Sequence, residues 1–134
     1  MVSDIKERLV SAGVQPTRIR LALARIIFDG EHKHITAHEA LIAVQKRNLR
    51  PSLASIYNTL NHFNEMGLLG RVTIDAGSAR FDTRLEPHHH LYNEDTGELT
   101  DISADSVTVK GRPRMPRGSK LKSVDVIFRI GSKG

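Results

Sequence analysis

Three consecutive histidines, His88, His89 and His90, are the residues of this chain best placed to do chemistry. On a β-strand, residues i and i+2 share a face, so His88 and His90 would aim two imidazole nitrogens together while His89 aims away. His34, Asp82 and Asp101 lie at separations that make sense if all five side chains meet around one ion. Three imidazoles and two carboxylates form an N/O shell that suits Fe(II), Mn(II) or Zn(II) better than a soft, thiophilic ion. The alternative at this stage is a solvated polar strand end, a common fate of a short His tract.

The elements that must position these donors are constrained by composition. The chain has 134 residues, of which 39% are hydrophobic and 4% aromatic, with no Trp. That leaves room for one or two small domains with modest aliphatic cores, which a homodimer would help to complete. No run approaches the ~20 apolar residues of a membrane helix. The N-terminal MVSDIKERL is charged and has no signal-peptide apolar core. A soluble, cytoplasmic protein with no membrane partner is expected.

Cysteine is absent, which excludes disulfides, thiolate zinc sites and thiol redox sensing. The formal net charge of +5 favours an anionic partner, and it is unevenly spread. Glu86 to Asp105 holds six acidic residues and no Lys or Arg, whereas Lys110 to Lys122 holds six basic residues and no acid. The residues before Leu85 carry 12 Lys/Arg against 8 Asp/Glu, a mildly basic balance compatible with nucleic acid.

The first half of the chain reads as four helices. Ser3 can cap a helix to Ala12, with Ile5, Leu9 and Val10 on one face and Gly13 as terminator. Thr17 opens a second helix to Phe28, ended by Asp29 and Gly30. Thr36 and Glu39 form a capping box for a third helix, to about Arg47. Ser52, after Pro51, caps a fourth that runs to Met66 and closes at Gly67. The period then changes to that of strands. Arg71 to Ile74, a turn over Asp75 to Ser78, and Ala79 to Asp82 make a β-hairpin. Helices followed by a hairpin indicate a winged helix-turn-helix.

Beyond Pro87 short strands are expected at His88–Asn93, Glu98–Ile102, Val107–Val109 and Val124–Ile130, with 111–119 as a Pro/Gly loop. The expected class is therefore α+β. A winged-helix domain would occupy 1–84 and a small α/β or mostly β domain 85–134.

On a helical wheel the fourth helix places Leu53, Ile56, Leu60 and Phe63 toward the core. The opposite face carries Ala54, Ser55, Asn58, Asn61 and His62, with Tyr57 on the flank and Ser52 at its head. That face has no Lys, Arg, Asp or Glu, which is unusual for one that is merely solvated. Asn can pair with adenine, and Ala or a Tyr ring can pack on a thymine methyl. Arg18 and Arg20 on the second helix, and Arg71 and Arg80 in the wing, are candidate phosphate or minor-groove contacts.

Several stretches together resemble the ferric uptake regulator superfamily: Gly13 to Arg20 (GVQPTRIR), His34 to Ala37 (HITA), Ser52 to Leu60 (SLASIYNTL), Met66 to Leu69, and Phe81-Asp82 followed by the His triplet. Tyr57 to Leu60, Phe81 to Thr83, the missing cysteines and the short tail from Val124 to Arg129 are most similar to its iron response regulator branch. The resemblance implies a homodimer that binds double-stranded DNA. It also implies a regulatory metal site made of His34, Asp82, His88, His90 and Asp101, with His89 outside it.

In many members two Cys of a structural zinc knuckle stand where this chain has Asn93 and Thr96, so no Cys-ligated zinc is expected. The family's usual dimerisation-domain helix is replaced by the Pro/Gly stretch after Gly111, which puts the standard dimer packing in doubt. Asn58 stands where many relatives have Arg, which implies a different operator.

The reading that follows is a metal-responsive repressor of iron-related genes. It would act as a homodimer on an A/T-rich inverted repeat, with one divalent ion per subunit holding the two domains together. Three alternatives stay open. One is a haem sensor of the same fold using His88, His89 or His90 as axial imidazole. Another is a peroxide sensor using Fe(II). The third, from another class, is a metallohydrolase, for which no general base is evident beside the donors.

Overall fold

Helix boundaries in this chain follow from side chains that satisfy the backbone groups a helix end leaves open. The computed structural model describes residues 2–75 and 78–132, excepting the side chains at 2, 3 and 78. The expected Ser3 cap and the hairpin tip at Ala76 and Gly77 fall outside this description. α1 spans Val2–Ser11 and α2 spans Arg18–Ile27, where the Thr17 hydroxyl accepts from Arg20 N at 3.3 Å.

A two-residue strand, β1 (His34–Ile35), precedes α3 (Ala37–Gln45). The capping box of α3 is complete: Glu39 N donates to Thr36 Oγ1 at 3.1 Å, and Thr36 N to Glu39 Oε1 at 2.9 Å. α4 (Leu53–Glu65) starts on Ser52, whose Oγ accepts from Ser55 N at 3.0 Å. It stops at Gly67, whose φ of 81° is open to glycine at little cost, and there Leu68 N reaches back to Phe63 O at 2.8 Å. Gly13 ends α1 in the same way at φ 85°, and a Cβ there would stand 2.8 Å from Met66 Cε.

The wing is β2 (Gly70–Asp75) against β3 (Ser78–Asp82), and β1 joins the other edge of β3, giving the order β1-β3-β2. Leu9, Leu23, Ile27, Val44, Ile56, Leu60, Phe63 and Phe81 are fully buried beneath these elements. Two expected core residues are not in it. Val10 is 55% exposed, because the buried stripe of α1 follows Ile5, Leu9 and Ala12 and a neighbour one residue on is turned about 100° away. Leu53 is 48% exposed, because the first turn of α4 projects past the core. It lines an open cavity of about 530 Å³ together with Thr36, His38, Tyr57, Asn58 and Ala79.

The chain divides into two compact units, Met1–Leu85 and Glu86–Gly134. The second contains β4 (His88–Asn93), β5 (Leu99–Ser103) and β6 (Ile127–Ile130) in the order β5-β4-β6. β4 and β5 are antiparallel, with His90 opposite Asp101; β4 and β6 are parallel, with His90 opposite Ile127.

Two strand expectations are corrected here. Val107–Val109 finds no pairing partner among the described residues and follows a single 3-10 turn, Ala104–Ser106. The last strand is confined to Ile127–Ile130, because pairing with β4 runs only from His90 to Asn93. β5 makes the return that a parallel β4–β6 pair needs, and 107–126 carries the chain past β4 to its other edge without a helix. No helix among the described residues is long and apolar enough to cross a membrane.

Candidate metal centre and nucleic-acid face

The loop ahead of β1 is tied down locally. The Asp29 carboxylate accepts from Lys33 Nζ and from Glu31 N, and the Lys33 ammonium beside it holds its carboxyl below the usual range. Lys33 N donates to Thr83 Oγ1 at 2.9 Å and Thr83 N to Lys33 O at 3.1 Å, which brings β1 alongside the end of β3.

His34 thereby stands opposite Asp82 in the antiparallel register, with Nε2 3.2 Å from Oδ2. Asp82 is only 1% exposed, so its carboxylate needs partners. Its Oδ1 accepts from Arg84 N at 2.9 Å and lies 2.9 Å from Nε2 of His32, a residue that the sequence reading left out. His32 sits two positions before His34 in a loop with no period to reveal it. That spacing was the only signal.

In the second unit His88 and His90 share a face of β4, ring centroids 4.6 Å apart. Their Nε2 atoms lie 3.4 and 3.5 Å from Asp101 Oδ1. His88 Nδ1 is 2.7 Å from the Glu86 carbonyl. A carbonyl oxygen only accepts, so Nδ1 carries a proton, and Nε2 is the ring atom turned toward the Asp101 carboxylate. A cation shared between those two atoms would stabilise their approach. His89 leaves the sheet on the other side, where its Nδ1 accepts from Val126 N at 3.3 Å.

The donor chemistry in each unit fits a divalent ion. Ligands bonded at ~2.1 Å stand about 3.0–3.4 Å from one another around it, close to the separations seen inside each half. The positions of a thiolate zinc knuckle are used differently. Asn93 Oδ1 accepts from Asp95 N and Thr96 N, and Thr96 Oγ1 from Glu98 N, so both side chains close the β4–β5 turn.

On α4, Ser52, Ala54, Ser55 and Asn58 are exposed, while Tyr57 and Asn61 are half-buried. Arg71 of β2 joins these last two: its guanidinium donates to Tyr57 Oη at 2.8 Å and to Asn61 Oδ1 at 3.2 Å, 5.8 Å from the Tyr57 ring. Tyr57 in turn meets Phe81 edge-on at 6.2 Å. Arg20 donates to Gln15 O at 2.9 Å, Arg18 is exposed at the start of α2, and Arg80 is half-buried in β3.

Residues 11–129 match the ferric uptake regulator family model. The chain is 28% identical over 108 residues to the ferric uptake regulation protein of Bacillus subtilis, covering 78% of this chain and 72% of that one. It is 33% identical over 102 residues to a peroxide-responsive repressor of Staphylococcus epidermidis, covering 74% and 67%. The solved structure of a ferric uptake regulator from Pseudomonas aeruginosa with manganese superposes with a TM-score of 0.68 at 22% identity, over 96% of this chain and 98% of that one.

Proposed function

This chain belongs to the ferric uptake regulator family of metal-sensing transcription regulators, which are not enzymes, and from that premise we propose that it represses iron-related genes as a homodimer on an A/T-rich inverted repeat. The observation that carries the reading is the pair of His/Asp clusters, one in each unit, whose last and first donors, Asp82 and His88, are six residues apart in the chain.

In this reading His34 and Asp82 supply donors from the DNA-binding unit, and His88, His90 and Asp101 supply them from the other. One divalent ion, Fe(II), Mn(II) or Zn(II), held by all five supplies the positive charge that balances the two carboxylates and ties the units together. The residues of α4 do the reading. Asn58 and Asn61 offer amides, Ala54 and Tyr57 offer apolar contact, and Ser52 and Ser55 sit at the helix start. Arg18, Arg20 and Arg80 would supply phosphate or minor-groove contacts. Two such helices must stand about 34 Å apart to enter successive major grooves, so anything that fixes the relation of the units selects the competent dimer.

The test is Mn(II) titration of the wild type and of His34→Ala, Asp82→Ala, His88→Ala, His90→Ala, Asp101→Ala and His89→Ala, with and without an operator selected from random DNA. The first five variants should lose metal binding and metal-dependent DNA affinity, and His89→Ala should keep both. If His89→Ala behaves like His90→Ala while His34→Ala is silent, the one-site reading fails.

The 33% identity to a peroxide-responsive repressor supports a second reading, Fe(II)-dependent peroxide sensing through the same donors. Peroxide treatment of the Fe(II) form would then add one oxygen atom to a ligand histidine, read as 16 mass units in its peptide. The haem alternative calls for a Soret band on haem addition that His88→Ala, His89→Ala or His90→Ala removes.

A further inference from the structure

We propose that His32 is a positioning residue for the Asp82 carboxylate, holding Oδ1 so that Oδ2 is the atom offered to a metal. The proposal rests on the metal reading above and adds a residue outside the five donors.

The distances inside the first unit separate two kinds of contact. His32 Nε2 and Arg84 N both lie 2.9 Å from Asp82 Oδ1, an ordinary N–H···O length. His34 Nε2 faces the other oxygen, Oδ2, at 3.2 Å. In the second unit the histidine-to-carboxylate separations are 3.4 and 3.5 Å. The His32 contact thus has the length of an ordinary hydrogen bond, whereas the others have the spacing of neighbouring ligands.

A carboxylate oxygen accepts, so His32 Nε2 is the protonated nitrogen and donates. With two donors on Oδ1, the carboxylate presents Oδ2 as a monodentate ligand on the His34 side. Exposure agrees with this division of labour. The His32 side chain is 39% exposed, against 14% for His34, as befits a ring that orients a ligand from outside. The two rings are 4.8 Å apart, edge to face, so His32 also buttresses His34.

The loop itself is set in advance by the Asp29 contacts to Lys33 and Glu31 N, and by the two bonds between Lys33 and Thr83. A consequence for selectivity follows. An Asp82 limited to one oxygen suits a compact shell of about four to six ligands. It disfavours Ca(II), which takes 6–8 oxygens and often a bidentate carboxylate.

The experiment uses the full-length protein. Mn(II) affinity is measured by competition, and Co(II) is used as an absorbing probe of the ligand set, for wild type, His32→Ala and His32→Gln. Helical circular dichroism checks the fold. His32→Ala should weaken Mn(II) by roughly 10–100-fold, the usual effect of losing an outer-shell partner. His32→Gln, whose amide can still donate to Oδ1, should recover most of that loss. The Co(II) spectrum should keep its shape in both, because no ligand has gone.

Unchanged affinity in His32→Ala overturns the proposal. So does a Gln variant as weak as Ala with an altered Co(II) spectrum, which would make His32 a ligand. If instead His34→Ala and His90→Ala bind Mn(II) like wild type, the underlying five-donor reading is what has failed, and the positioning role falls with it. Should His32→Ala fail to fold, the Gln variant and its Co(II) spectrum decide alone.

Discussion

Asp82 is a buried carboxylate that satisfies one oxygen with two N–H donors and points the other at an imidazole. Removing it takes an acceptor from the Arg84 amide and the His32 ring together. Asp82→Ala should therefore lower stability by about 1–3 kcal/mol even in chelator, measured by urea unfolding. Asp82→Asn keeps an acceptor for those donors and should cost less, while still weakening metal. Equal losses for Ala and Asn would mean that the hydrogen bonds to Oδ1 contribute nothing. At this scale the strand donors were legible because alternation on β4 fixes which histidines share a face. His32 was not legible, because it reaches Asp82 across 50 residues from an irregular loop. Nothing local in the sequence encodes that pairing.

Among the elements, α4 joins the proposed reading face to the core. Asn58→Ala should cost about 1–3 kcal/mol on the selected operator and little on random DNA, whereas Arg18→Ala should weaken both alike and flatten the salt dependence. Binding isotherms on the two DNAs at several salt concentrations would show it, and parallel losses for both variants would contradict the assignment. Arg71, a candidate phosphate or minor-groove contact, bonds Tyr57 and Asn61 through its guanidinium. Arg71→Ala should thus reduce operator affinity more than random-DNA affinity; a uniform loss would return it to a phosphate contact. Thr36→Ala removes one arm of the capping box and should lower stability by about 1 kcal/mol.

The helices were readable because caps and 3.6-residue periodicity are local signals, each confined to a few neighbours. β1 was not, since two residues have no period and gain strand geometry only by pairing with β3. Nor was the loss of Val107–Val109 from the sheet. A run of β-formers does not say whether a partner edge is open.

For the whole molecule, the absence of thiols and the use of Asn93 and Thr96 in a turn predict a fold that does not require metal. Strong chelator should leave the circular dichroism spectrum intact with at most a partial fall in melting temperature; complete unfolding would reveal a structural ion. Metal and DNA binding, being linked, should strengthen or weaken each other by the same factor, typically 5–150-fold.

The donors found in the two halves have a further consequence. Every one is nitrogen or oxygen, and such sets follow a fixed order of affinity that rises from Mn(II) through Fe(II) to Cu(II), with Zn(II) also ahead of iron. Equilibrated with all of them at equal free concentration, the proposed five-donor site would fill with copper or zinc ahead of manganese. What the protein reports is therefore decided outside it, by how scarce the cell keeps the tighter ions. Its response should follow the buffer around it: the same purified chain would act as a zinc, iron or manganese sensor according to which free ion first reaches its dissociation constant.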